Sequence, residues 1–119
     1  MYQVNRVTYG TTGAKTLVLG GSPKKLRITL GSRFGTSESY EHLSVLTFDG
    51  TNLNCVTTVQ DGASGKTENF TNKLSHWERS GGVNVEVINA NSFAFSGNTI
   101  TFTVNTASLN YQWLIETDY

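Results

Sequence analysis

The side chains in this chain that could do chemistry are few: two histidines, His42 and His76, one cysteine, Cys55, and nine acidic residues. His42 has Glu38 and Glu41 close to it in sequence, and His76 has Glu78. A zinc site needs three or four His, Cys or carboxylate ligands at tight spacing. Two histidines 34 positions apart and a single cysteine do not supply that set, so no metal site is predicted. Serines are plentiful, but without a G-x-S-x-G turn none of them is marked as the nucleophile of a Ser-His-Asp arrangement. Asp49 and Asp61 each precede a glycine, and Asp-Gly is a strong signal for a tight hairpin turn. The stretch "DGTNLN" offers Asp49, Thr51 and Asn52, too sparse a set for a calcium loop. A glycosidase pair made of Asp49 and Asp61 would depend on their separation in space. A small hydrolase using Asp49, Asp61 or a histidine therefore ranks last among the functions considered. The reading is of a protein that is not an enzyme and needs no cofactor.

Aromatic residues give a second lead. Tyr40, Phe70, Trp77 and Tyr119 lie outside, or at the ends of, the alternating runs described below, and are expected to be exposed. Saccharide-binding surfaces use flat rings with polar orienting partners, and "SHWERS" (75–80) has that composition. Trp77 would be the platform, with His76, Glu78, Arg79, Asn72 and Tyr40 around it as a glycan-binding or interface patch. The competing reading, and the favoured one, is that Trp77 caps one end of the core. A third places it at a subunit interface, where Trp, Tyr and Arg are enriched. Cys55, in the alternating run Leu53, Cys55, Thr57, Val59, is expected to pack as a small hydrophobe.

The elements that would position these groups are strands. Gly, Ser, Thr and Asn dominate the polar residues, and Val, Leu, Ile, Phe and Tyr the apolar ones, a mixture suited to strands and tight turns. Apolar residues recur at every second position over 2–9, 15–19, 25–30, 42–48, 53–59, 83–89, 92–95, 99–104 and 109–117. In 83–89 the expected inward face is Val83, Val85 and Val87, and in 109–117 it is Leu109, Tyr111, Trp113 and Ile115. Only 36–43 and 72–80 read as loop or helical turn, and 32–42 and 61–82 are expected to face outward. Strands near ten residues apart with turns between them predict one all-β domain over 1–119: an antiparallel β-sandwich, jelly-roll-like, of about eight to nine strands. The only proline, Pro23, follows Gly20-Gly21-Ser22. Proline cannot donate to a sheet ladder, so Pro23 is expected at a strand start or edge, with Lys24 and Lys25 discouraging edge pairing. Gly20 and Gly21 are expected to take the positive φ of a tight reversal.

Composition narrows the function further. Nine basic residues balance nine acidic ones, whereas a nucleic-acid binder usually carries a basic excess to neutralise phosphates. No apolar run approaches the roughly 20 residues of a membrane-spanning helix. The start "MYQVNRVTYG" lacks the charged-then-apolar pattern of a signal peptide. No glycine cluster precedes a helix as a phosphate cradle would. "NFT" at 69–71 matches a glycosylation acceptor, which matters only in a secretory pathway. The expectation is a soluble protein of a reducing compartment, binding neither nucleic acid nor membrane.

The stretch "VTYGTTGAKTLVLGGSPKKLRITLGSR" (7–33) resembles a motif of small β-sandwich modules in tailed-bacteriophage virion proteins. Thr16, Leu17, Leu19, Gly20, Pro23, Lys24, Leu26 and Ile28 match that motif, and Gly21 departs from it where an apolar residue is usual. The closing "SFAFSGNTITFTV" hairpin and the strand "YQWLIET" are also similar to it, whereas 32–80 is not. The resemblance implies a virion component: a tail-fibre or tail-tip module, a receptor-binding head, a minor virion protein or a capsid decoration protein. It would be made in the host cytoplasm. The partners so implied are other virion proteins, further copies of the chain with a trimer favoured, and a host-surface saccharide. No catalytic residue carries over. The alternative is a free carbohydrate-binding, lectin-like module.

Overall fold

A computed structural model describes residues 2–32, 40–62 and 64–119. Within them the chain forms ten strands: β1 (Tyr2–Val7), β2 (Gly13–Val18), β3 (Lys25–Leu30), β4 (Glu41–Phe48), β5 (Leu53–Asp61), β6 (Ser64–Thr71), β7 (Lys73–Ser80), β8 (Val83–Ser96), β9 (Thr99–Thr106) and β10 (Trp113–Asp118). They make a six-stranded sheet in the order β1-β10-β3-β4-β5-β6 and a four-stranded sheet in the order β2-β9-β8-β7, every pairing antiparallel. The predicted antiparallel β-sandwich is the observed fold. No helix among the described residues is long and apolar enough to cross a membrane.

The two ends of the chain wind together across both sheets. β1 and β3 flank β10 in one sheet while β2 pairs with β9 in the other, the jelly-roll-like part of the topology. The middle departs from that pattern, because β3 to β6 and β7 to β9 are two simple meanders. Between the sheets the inward phase of each strand closes a core that includes Ile28, Leu30, Leu46, Ile100, Trp113 and Ile115, all at most 2% exposed. Aromatic rings form its spine. Phe102 stacks between Phe93 and Trp113, and Tyr9 meets the edges of both Phe102 and Trp113.

Several expectations are corrected. There are ten strands rather than eight or nine, because 64–71 is an edge strand and 72–80 is β7 rather than a loop. Asn72, at φ 52°, is the only residue between β6 and β7; asparagine tolerates that left-handed conformation, which folds the chain from one sheet into the other. The runs 83–89 and 92–95 fuse into β8, interrupted by a bulge where Ser92 and Phe93 together face Phe102 and Ser92 sits at φ 57°. A second bulge pairs His76 with Ile88 and Trp77 with Glu86, leaving Val87 over. Val83 and Val85, at the start of β8, are exposed, while Ile88 and Ala90 beyond the bulge are buried. Tyr111, Trp113 and Ile115 point inward as expected, but Leu109 lies in the preceding turn, 71% exposed.

Pro23 and the lysines also have a different role from the one expected. β3 is an interior strand between β10 and β4, so Lys24 and Lys25 guard no edge. Pro23 lies two residues before β3, in the crossing between the sheets. Neither Gly20 nor Gly21 is at positive φ. The ring of Tyr119 lies against them, and a Cβ on Gly21 would touch it at 3.4 Å from Tyr119 Cδ1, an ordinary van der Waals contact. Gly20 N donates to Tyr119 Oη at 2.9 Å and to Gln3 Oε1 at 3.0 Å, so the Gly-Gly step is tied to both terminal segments. The Asp-Gly turns are where they were expected. Gly50 (φ 99°) and Gly62 (φ 58°) are left-handed, and Asp49 Oδ1 accepts from Thr51 N at 3.0 Å and Asn52 N at 2.7 Å. Those two donors hold the Asp49 carboxyl below its ordinary value.

Candidate functional site

The chemistry-bearing residues converge where β4 and β5 of one sheet face β7 of the other. The hairpin register sets this. Asp49-Gly50 closes a turn that pairs Phe48 with Leu53, Leu46 with Cys55, Ser44 with Thr57 and His42 with Val59. Since Leu53, Cys55 and Val59 must face the core, Ser44 and His42 are carried inward with them. His76 enters from the opposite sheet. The result is a buried polar cluster: His42 is 5% exposed, and Ser44, Thr57, His76 and Tyr111 are fully buried.

Its hydrogen bonds have a direction. His76 Nε2 lies 2.9 Å from the carbonyl oxygen of Gly31, which can only accept, so Nε2 carries the proton. In the neutral ring Nδ1 is then the acceptor, and Ser44 Oγ, 2.6 Å away, donates to it. Thr57 Oγ1 in turn donates to Ser44 Oγ at 2.6 Å. The chain therefore runs Thr57 to Ser44 to His76 to Gly31. His42 Nδ1 donates to the carbonyl of Trp77 at 2.9 Å, and its ring stacks on that of His76 with centroids 4.7 Å apart. Tyr111 meets both imidazoles edge-on and donates to Glu78 Oε1 at 2.6 Å. The Ser44–His76 pair has the form of a nucleophile and base. However, a backbone carbonyl stands where an orienting carboxylate would be, and both side chains are 0% exposed. A substrate has no access to it in this conformation. The arrangement satisfies polar groups inside the sandwich.

The residues singled out in the sequence separate accordingly. His76, Trp77, Glu78 and Arg79 lie on β7 and do not form an exposed platform. Trp77 is 6% exposed, with Phe70 edge-on at 6.2 Å and the Lys66 ammonium 4.8 Å from its ring centroid. Its burial is that of a packed side chain rather than of an open ring face. Arg79 donates to Asn84 Oδ1 at 2.9 Å, and its Nε is 3.9 Å from Asp61 Oδ2. Asn72 is the exposed corner residue, and Tyr40, half-buried, packs 5.0 Å from the His42 ring. Tyr40, Phe70 and Tyr119 are half-buried rather than exposed. Cys55 is fully buried, as expected, and burial pushes its thiol up. The 32–42 expectation falls mostly on 33–39, outside the described residues. No group of three His, Cys, Asp or Glu able to hold a metal occurs among the described residues.

Sequence reasoning missed two surfaces. On the outer face of the six-stranded sheet, a depression of about 400 Å³ is lined by Tyr2, Lys25, Arg27, Thr47, Asp49 and Glu116 among others. Tyr2 is 60% exposed and donates to Glu116, which also takes the Arg27 guanidinium at 2.8 Å. These two partners lower the Glu116 pKa, and the same bond raises that of Tyr2. Further along that face, Leu43, Val45 and Val56 point outward opposite the buried polar cluster, with Leu43 45% and Val56 49% exposed. No family model matches this chain, and no curated protein or solved structure matches it either.

Proposed function

We propose that the protein is a non-enzymatic virion structural or surface component of the tailed-phage kind, working through contacts between its sheet surfaces and other proteins. The observation that carries the docking part is an apolar patch on the outer face of β4 and β5. Their inward phase holds His42, Ser44 and Thr57, while Leu43 and Val56 stand exposed on the outside. Isolated exposed apolar residues are ordinary, but here Leu43, Val45 and Val56 lie together on one face of two paired strands, with Val45 directly opposite Val56. The phage part rests on the motif resemblance. The segments that carry it, 7–31 and 92–117, fall in strands that pair with one another, β2 with β9 and β3 with β10, so the matching residues belong to one structural unit.

The lectin-like alternative keeps one specific support: Tyr2 with Arg27 and Glu116 beside the outer depression, an exposed ring with donors and acceptors next to it. The test is light scattering coupled to size exclusion, followed by a glycan-binding screen. An assembled species supports the proposal. A monomer that binds a glycan favours the lectin reading, and a monomer that binds none overturns both.

A further inference from the structure

The open edges of the two sheets are not equivalent. β2 carries Lys15 alone, β1 carries Arg6 alone, and β7 carries Lys73, Glu78 and Arg79 and pairs with β8 across the Val87 bulge. A charge on an edge strand blunts it against pairing unless an opposite charge can face it. β6, the edge of the six-stranded sheet, pairs only with β5 among the described residues and its register with β5 is unbroken. It contains no proline, and its two charges are of opposite sign and two residues apart, Lys66 and Glu68.

We infer that β6 is the joint of a two-fold homodimer, in which it pairs antiparallel with β6 of a second copy and the two six-stranded sheets become continuous. The sequence of β6 selects the register. A two-fold axis perpendicular to the sheet keeps inner faces together only if it passes through a residue rather than between two, since a one-residue slip reverses the facing. Centred on Lys66 it would oppose lysine to lysine, and centred on Glu68 glutamate to glutamate. Centred on Thr67, near the strand's midpoint, it sets Lys66 against Glu68 of the second copy and Glu68 against its Lys66, two opposite-charge pairs. The same register opposes Ser64 to Phe70 and Gly65 to Asn69, with no side-chain clash of like kind. In the single chain Lys66 and Glu68 meet each other at 2.7 Å, 46% and 36% exposed, and the joint replaces each copy's internal pair with one across the two-fold axis. Such an interface is isologous and closes on itself. It does not depend on the virion reading.

The experiment is light scattering on the full chain from micromolar to millimolar concentration, with three variants. Wild type is expected to reach twice the 13.0 kDa chain mass. Lys66→Glu puts glutamates opposite each other at both pairs and should weaken the dimer about tenfold or more. Adding Glu68→Lys to it should restore the dimer, and Lys15→Glu on the β2 edge should leave it unchanged. If Lys66→Glu folds poorly because Trp77 loses its cation, Glu68→Lys alone creates the mirror-image repulsion without altering that contact. A wild type that stays monomeric at millimolar concentration overturns the joint. So does an oligomer indifferent to both charge reversals, an outcome that leaves the assembly proposed above standing.

Discussion

The imidazoles of His42 and His76 lie stacked, with centroids 4.7 Å apart and planes inclined by 22°, although 34 residues separate them in the chain. Each is fixed by a backbone carbonyl, Trp77 for one and Gly31 for the other. Ser44 ties the second ring into a chain of donors that starts at Thr57.

That chain makes Ser44 the costliest member to remove. Ser44→Ala removes in one step the acceptor of the Thr57 hydroxyl and the hydroxyl donor to His76 Nδ1, and should cost about 1–3 kcal/mol. Thr57→Val leaves the Ser44 to His76 bond intact and should cost less. Urea denaturation of the two variants checks this; equal losses would mean that the donors run another way.

Trp77→Ala separates the core reading from the platform reading. At 6% exposure its removal should cost about 3–5 kcal/mol, seen as a large fall in the denaturation midpoint. A midpoint close to wild type would return Trp77 to the surface.

Asp49 should be visible in the acid limb of stability. Its folded pKa is lowered by the Thr51 and Asn52 amides, so its contribution is present above the unfolded value of about 3.9 and is lost as pH falls through the lower folded value. Asp49→Asn keeps an acceptor but removes the titration. Its melting temperature should therefore fall less than that of wild type between about pH 4 and pH 2, and parallel curves would show that the turn contributes nothing at acid pH.

Cys55 gives the opposite sign. Burial raises its folded pKa, so its contribution is present below the unfolded thiol value of about 8.5 and is lost as pH rises through the higher folded value. The native protein should resist thiol reagents at neutral pH and react fully once unfolded. Rapid labelling of the folded protein would contradict its place in the core.

The fold was legible wherever one face of a strand is buried and the other solvated. β3, whose bounds agree with 25–30, is the clearest case. β6 was missed because Phe70 is its only apolar side chain and the rest of the strand is polar at an open edge, so no alternation marks it. β7 was missed because two of its polar residues, Ser75 and His76, are fully buried, and because the corner before it is one asparagine rather than Gly or Pro. The burial of β8 was misjudged because its first valines, Val83 and Val85, stand exposed, and its buried residues, Ile88, Ala90 and Phe93, lie beyond a bulge that leaves no signature in composition. The polar cluster was within reach: an Asp-Gly turn at 49–50 and an inward Leu53 and Cys55 fix the phase of β4, and that phase contains His42 and Ser44. The outward apolar residues Leu43 and Val45 concealed it.

The pairing of the two terminal strands has a mechanical consequence. Tyr2 lies opposite Asp118 and Val7 opposite Trp113, so the two ends of the chain leave the sandwich side by side from the same corner. A load applied between them pulls across the ladder rather than along it, and peels β1 away one rung at a time. The module is therefore soft to tension between its termini. A load transmitted through its sheet faces would instead meet the whole packed core.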